Sequence, residues 1–326
     1  MRVLLIMGLV AVLAACGQTP RVELRPSEPA VSYAPLRHPF RDRQLYLAPD
    51  SPALRWQNAN GASWLDPITR TPQAVWLNSP QDLDKVPALV SEAGQQDALP
   101  VLVAYYVPNR GCSDFRDGAP TPAEYVQWVD RLITLLGATK AVVVMEPDAI
   151  PADCFTTERA EVLKAAVGKL SEAGHFVYLD AGHSRWRSTG ETAERLIAAG
   201  VNVAEGFAVN ISNRQSTEDA HKWGRELADL TGDREFVIDT SRNGLGPPPG
   251  DGDSWCNPEQ QGLGEPPTTK PALEGVAALL WIKPPGESDG ICGGEDTYLF
   301  SPRQARNLIM RSPHVPPEER EAAATH

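Results

Sequence analysis

What the chain has little of narrows the field first. Its 326 residues include six histidines, five cysteines and four methionines. No pair of histidines falls at metal-ligand spacing, and no H-E-x-x-H run or paired C-x-x-C occurs, so the expectation is a protein with neither metal nor cofactor. A G-x-S-x-G elbow is missing, since Ser184 sits in Gly182-His183-Ser184-Arg185-Trp186; this removes the usual serine-nucleophile arrangement. There is no Walker loop and no G-x-G-x-x-G turn after a strand, because Gly244 and Gly246 precede prolines rather than a helix. Positive charge is short as well: 30 basic against 42 acidic residues give a formal net charge of -12, with no basic patch. That balance argues against a nucleic-acid partner and for a neutral or cationic one.

Long apolar runs are absent too. The run from Val3 to Ala15 is shorter than a membrane span requires. With Arg2 before it and Cys16 after it, residues 1–15 read as a targeting segment. Leu13-Ala14-Ala15-Cys16 is similar to the bacterial lipoprotein cleavage box, which implies a lipid on Cys16 and a protein anchored to the cell envelope, or secreted. Setting Cys16 aside leaves Cys112, Cys154, Cys256 and Cys292, an even set in an exported chain, so two disulfides are expected. Three pairings are open; the sequential one is preferred.

Proline and glycine, by contrast, are plentiful, 30 and 26, and most lie between apolar runs, so loops should be long and stiff. Residues 16–43 are polar, rich in proline and arginine and without apolar periodicity, as a disordered tether would be. Residues 44–312 form the expected folded body, and residues 313–326, charged and alanine-rich, an expected disordered tail. Strand-like runs are expected at Gln73 to Leu77, Pro100 to Tyr106, Ala141 to Glu146, Phe176 to Asp180, Ala204 to Asn210, Glu235 to Asp239 and Ala277 to Ile282. Amphipathic stretches such as Pro122 to Leu136, Thr157 to Ala173 and Thr217 to Thr231 lie between them. Seven strands alternating with helices predict an α/β chain forming a parallel barrel or near-barrel, although an open sheet has the same local signature. One long excursion, Thr240 to Lys270, breaks the rhythm; it carries Trp255 and Cys256 and reads as a functional loop.

The chain is organised around Val142-Val143-Val144-Met145-Glu146-Pro147-Asp148. Three β-branched residues favour a buried strand, and Pro147, lacking an N–H, ends the ladder and leaves Asp148 just beyond it. In a parallel barrel that edge is where chemistry occurs. The other runs also finish in polar or aromatic clusters: Tyr105 to Arg110, Asp180 to Trp186, Asn210 to Asn213, Asp239 to Asn243 and Trp281 to Asp289. Carboxylates with tryptophans are the equipment of carbohydrate hydrolysis, since indole faces cover sugar rings and two carboxyls supply acid and base.

These motifs resemble the family 6 glycoside hydrolases, endoglucanases and cellobiohydrolases acting on β-1,4-glucan. The most specific pieces are Met145-Glu146-Pro147-Asp148, Asp180-Ala181-Gly182-His183, Asp239 to Gly244, Trp255-Cys256-Asn257-Pro258 and Trp281 to Gly290. The resemblance implies a distorted, incompletely closed seven-stranded parallel β/α barrel and an inverting single displacement with Asp148 as general acid and Asp289 as candidate base, directly or through a water. It implies glucosyl stacking on Trp76, Trp186 and Trp255, crowding of the distorted sugar by Tyr105, and hydroxyl binding by Asn210, Lys283 and Glu287. Asp180 and His183 fall where the family supports the acid. The disulfides it implies are Cys112 with Cys154 and Cys256 with Cys292. The expected partner is a β-1,4-glucan or cello-oligosaccharide, and the expected state a monomer.

One departure stands out. Family members usually carry an aspartate just before the first of these cysteines, where this chain has Gly111. That aspartate would hold the acid protonated by like-charge proximity. Without it Asp148 should titrate as an ordinary aspartate unless burial compensates, with Asp114 or Asp117 as neighbouring substitutes. A weakly active or non-catalytic glucan-binding lipoprotein is the alternative expectation. The short segment after Asp289 implies an open cleft and internal cleavage.

Overall fold

The computed structural model describes residues 31–112, 118–247, 255–295 and 299–325. The targeting segment, Cys16, Asp114 and Asp117 lie outside these residues. The chain divides into units of residues 1–32 and 33–326. Of the first only Val31 and Ser32 are described, both exposed; the second holds all the elements below.

Its strands are β1 (Gln44–Leu45), β2 (Val75–Leu77), β3 (Ala98–Leu99), β4 (Val101–Ala104), β5 (Val142–Met145), β6 (Phe176–Asp180), β7 (Gly206–Val209), β8 (Glu235–Asp239) and β9 (Val276–Leu280). Its helices are α1 (Pro52–Asn60), α2 (Asp66–Thr69), α3 (Val86–Gln96), α4 (Pro122–Leu136), α5 (Thr157–Glu172), α6 (Thr189–Ala198), α7 (Thr217–Leu230), α8 (Pro302–Arg311) and α9 (Pro317–Ala324). Thr121, Thr156, Ser188, Ser216 and Ser301 cap α4 to α8, each side-chain oxygen accepting a backbone N–H of the first turn; such a cap contributes about 1 kcal/mol.

Seven strands make one parallel sheet in the order β2-β4-β5-β6-β7-β8-β9. Each runs beside its predecessor in the sequence, the two-strand pairing of β1 with β3 apart. The sheet curls so that its two faces bury different sets. Val103, Val142, Val144, Tyr178, Ala208 and Val237 pack inside the curl, while Leu102, Val143, Met145, Leu179, Phe207 and Phe236 pack against the helices. This alternation is the period-two pattern of a strand buried on both sides. Between β2 and β9 no strand ladder forms among the described residues. The seam is stitched instead by the Ala74 N–H donating to the Trp281 carbonyl at 3.0 Å and the Trp76 indole N–H donating to the Ile282 carbonyl at 2.7 Å. The barrel is therefore incompletely closed.

All seven expected strands are present. Several are shorter than their apolar runs: Tyr105 and Glu146 follow β4 and β5 and each still donates its N–H to the neighbouring strand, to Leu77 O at 3.0 Å and Ala104 O at 2.8 Å. Two expectations are corrected. Residues 33–43, assigned above to a tether, fold against the barrel floor. The Ala34 N–H donates to Asn202 O at 2.8 Å, Arg37 pairs with the buried Glu205 and donates to His175 O at 2.7 Å, and Arg234 lies over the Tyr33 ring. Phe40 is 2% exposed and meets Tyr178 at a ring separation of 6.0 Å, plugging the lumen from below. The tail expected to be disordered forms α9, with Pro317 in its first turn and Glu318 and Glu319 favouring the helix start. Its Ala323 is buried with Trp64, Leu65, Leu308 and Ile309 in a third cluster, which supplies the tertiary contacts that the tail's composition does not advertise.

Candidate active site

The carboxyl ends of the strands converge on one rim. Strand β5 ends in a run that is conformationally costly: Glu146 and Asp148 both have positive φ, 49° and 71°, the left-handed region that side-chain-bearing residues avoid. What holds them is visible in their bonds. The Glu146 carboxylate is 1% exposed and accepts the N–H groups of Tyr106 and Val107, each at 2.9 Å. The Asp148 N–H donates to Asp180 Oδ2 at 2.7 Å, and Asp180 Oδ1 accepts the Gly182 N–H at 3.0 Å. Asp148 is thus fixed by its backbone while its side chain stays half-buried.

Electrostatics separates the carboxyls. Burial pushes Asp148 up to about 6; Lys283 opposes the rise and the charge of Asp289 adds to it. Asp180 is pushed to about 8, first by burial and then by the neighbouring Asp148. Asp289 goes the other way. Burial alone would raise it, but Arg242 and then Lys283 hold it below the usual carboxylate range. Arg242 grips both Asp289 oxygens, each at 2.9 Å, the Asn257 N–H donates to Oδ2 at 3.0 Å, and Lys283 Nζ lies 3.9 Å from Oδ1. The rim therefore carries one carboxyl, Asp148, whose pKa is raised and one, Asp289, whose pKa is lowered.

The aromatic residues fall into three places. Trp76 and Tyr105 meet edge to face at 5.3 Å, with Lys283 Nζ 5.8 Å from the Trp76 ring and Arg110 over the Tyr105 ring, so this group borders the carboxyls. Trp186 is 41% exposed and packs beside His183 at 5.5 Å. Trp255 is 63% exposed, and its carbonyl accepts from Arg214 at 3.0 Å. Glu287 is largely buried, with burial raising its pKa against the pull of Lys283 and then Lys85.

The disulfides pair Cys112 with Cys154 and Cys256 with Cys292. The first ties the loop after β4 to the segment after Asp148, and the second ties Trp255 to the segment after Asp289. Asn210, expected to bind substrate, is fully enclosed. Its amide donates to the Gln215 and Asp239 carbonyls and accepts the Gln215 N–H. Its hydrogen-bonding capacity goes to bracing the rim, and its positive φ of 67° explains why asparagine sits there.

Three residues had no assigned role in the sequence reading. Asp239 gathers the N–H groups of Ser212, Ser241, Ile282 and Lys283, joining the ends of β7, β8 and β9. Arg242 is the clamp on Asp289, and Glu146 the pin for the loop after β4. Their signal was their place: each directly ends a strand run or follows one.

The sequence matches the family described as Glycosyl hydrolases family 6 over residues 40–310. It is 38% identical over 260 residues to Endoglucanase A of Cellulomonas fimi, covering 77% of this chain and 57% of that one; the chain therefore spans just over half of that relative. It is 38% identical to Endoglucanase 1 of Streptomyces sp. (strain KSM-9), covering 81% of this chain and 77% of the relative. The solved endoglucanase Cel6 of Mycobacterium tuberculosis, in complex with methyl-cellobiosyl-4-deoxy-4-thio-β-D-cellobioside, superposes with a TM-score of 0.79 at 36% identity, covering 83% of this chain and 98% of that one. With the match extending over most of its length, this chain belongs to glycosyl hydrolase family 6.

Proposed function

We propose that this protein hydrolyses internal β-1,4-glucosidic bonds of cellulose or a related β-glucan, with inversion at the anomeric carbon. The observation that carries the reading is the opposition of Asp148, whose carboxyl is raised to about 6, to Asp289, held ionised by Arg242. In this mechanism Asp148 gives its proton to the glycosidic oxygen as the C–O bond breaks and its electron pair leaves with that oxygen. Water attacks the anomeric carbon from the opposite face and loses its own proton. Asp289 is a poor direct base while Arg242 occupies both its oxygens, so it accepts that proton through a second water and its fixed charge favours the cationic sugar.

Trp76, Trp186 and Trp255 serve as stacking platforms for glucosyl rings, and Tyr105 crowds the ring being cleaved. Lys283 and Glu287 contact hydroxyl groups, while Asp180 and His183 support the acid. The endoglucanase names of the relatives and the cellobioside-type ligand of the Mycobacterium tuberculosis structure support a β-1,4-glucan substrate. The short segment after Asp289 supports an open cleft.

Gly111 favours a second reading, a glucan-binding protein without hydrolysis. The burial of Asp148 weighs against it, because burial and Asp289 already supply the upward push that the missing aspartate would give. Carboxymethylcellulose viscosity and reducing ends, with NMR of the first product anomer, separate the two. Wild type should release the α-anomer and lower viscosity early, and Asp148→Asn should lose about 100-fold or more in kcat while still binding cello-oligosaccharide. Equal turnover by Asp148→Asn would defeat the acid assignment, and binding without turnover by wild type would establish the second reading.

The targeting segment and Cys16 support export with lipid attachment at Cys16. No helix of the described residues is long and apolar enough to cross a membrane. Mass spectrometry of the N-terminal peptide tests the lipid; a mature terminus at another residue would remove it. The protein is proposed to act as a monomer, which light scattering would check.

A further inference from the structure

We propose that Asn257 is the positioning residue that fixes the Asp289 carboxylate and couples it to the Trp255 platform. The inference rests on the reading of Asp289 given under Proposed function.

Asn257 is 1% exposed and exchanges two hydrogen bonds with Asp289. Its backbone N–H donates to Asp289 Oδ2 at 3.0 Å, and its side-chain oxygen accepts the Asp289 N–H at 2.8 Å. Each residue thus holds the other's backbone with its side chain. The remaining half of the amide is also committed. Asn257 Nδ2 donates to Ser288 Oγ at 3.0 Å, Gly290 O at 2.9 Å and Cys292 O at 3.1 Å, so with Asp289 one side chain holds four of the five positions from Ser288 to Cys292.

Two further observations show that the arrangement is built rather than incidental. Asn257 has φ 45°, a left-handed conformation that asparagine tolerates better than most residues. Opposite it, Gly293 leaves no room for a side chain: a Cβ there would stand 2.6 Å from Cys256 O and 2.7 Å from Asn257 O. The two strands of chain are pressed together at this point, and the Cys256–Cys292 bridge joins them one residue away on each side. Trp255 is two residues before Asn257, so the same clasp that aims Asp289 also sets the base of the exposed indole.

A residue with this role should affect turnover and the titration of Asp289, whereas a merely structural residue would affect only stability. The charged groups acting on Asp289 are Arg242, Lys283, Arg214 and Asp148, and none of them lies on the Asn257 segment. Asn257→Gly keeps the left-handed backbone and its N–H but removes the amide. Asn257→Asp keeps the size and sets a second carboxyl against Asp289.

With both disulfides confirmed by mass spectrometry, kcat and KM on cello-oligosaccharides are measured across pH 4 to 8 for wild type, both variants and Asp289→Asn. The expected result is a fall in kcat on the order of 10- to 100-fold for Asn257→Gly, since small misplacement of a reacting group has that effect, with a smaller change in KM. The acid limb of kcat/KM moves to higher pH in Asn257→Asp. Wild-type kcat in Asn257→Gly would overturn the proposal, as would loss confined to KM with an unmoved acid limb. Failure of both variants to fold would also overturn it, by assigning Asn257 to the fold alone. If Asp289→Asn keeps full activity, the reading of Asp289 falls and this proposal with it. If Asp289→Asn is impaired while the Asn257 variants are not, this proposal alone falls.

Discussion

Asp148 and Asp289 are chemically the same side chain driven in opposite directions by what surrounds them. Asp148 is raised to about 6 by burial, so its acid form is full below that value and is lost as pH rises through it. Asp289 is depressed by Arg242 and Lys283, so its anion is lost only as pH falls below the usual carboxylate range. The expected kcat/KM profile is a bell on the acid side of neutrality, falling above about pH 6, and a profile flat to pH 8 would contradict it. Gly111 lies on the exposed loop beside the Cys112–Cys154 bridge. A carboxylate introduced by Gly111→Asp should disfavour ionisation of Asp148, moving the basic limb to higher pH and raising turnover at pH 7. An unmoved limb would show that position 111 is out of electrostatic reach of the acid.

At the scale of elements, the segment before β1 is the one whose importance is least evident from composition. Phe40 fills the lumen floor beneath Tyr178, at the end of the barrel away from the carboxyls. Phe40→Ala should cost about 3–5 kcal/mol of stability, read by calorimetry, with the pH profile of turnover unchanged; a wild-type melting temperature would mean that the plug contributes nothing. The same segment shows where sequence reading stops. The seven strands were legible because runs such as Val142-Val143-Val144 announce a doubly covered strand with no knowledge of their neighbours. The rim residues were legible because position alone, just past a strand, marks them. Tyr33 and Phe40 are single aromatics in a polar stretch, and α9 is alanine-rich and charged; both are ordered by partners far away in sequence, which no local pattern encodes. For Asn210, likewise, the place on the rim was evident, but not that its amide bonds to backbone groups.

For the molecule as a whole, the buried acids make stability depend on pH in a stated direction. Glu146, Asp148 and Asp180 are raised to about 7, 6 and 8 respectively. A raised carboxyl contributes stability that is complete below its unfolded pKa and is lost as pH rises through the folded one. Asp289, being depressed, contributes stability that is lost as pH falls through its folded value. The melting temperature should therefore peak on the acid side and decline between pH 5 and 8, and Asp180→Asn should flatten that decline; a maximum at pH 8 would refute the assignment. The strand order carries a consequence of its own. Because β2 to β9 lie side by side in the order of synthesis, with the short β3 set apart, each new strand finds its neighbour already made. Assembly can advance like a zip, yet Trp281 must arrive before Ala74 has its partner, and Arg242 and Asp289 belong to the last third of the chain. A chain finished only as far as β7 would hold five of the seven sheet strands yet neither Arg242 nor Asp289, so the hoop takes shape well before the carboxylate clamp can exist.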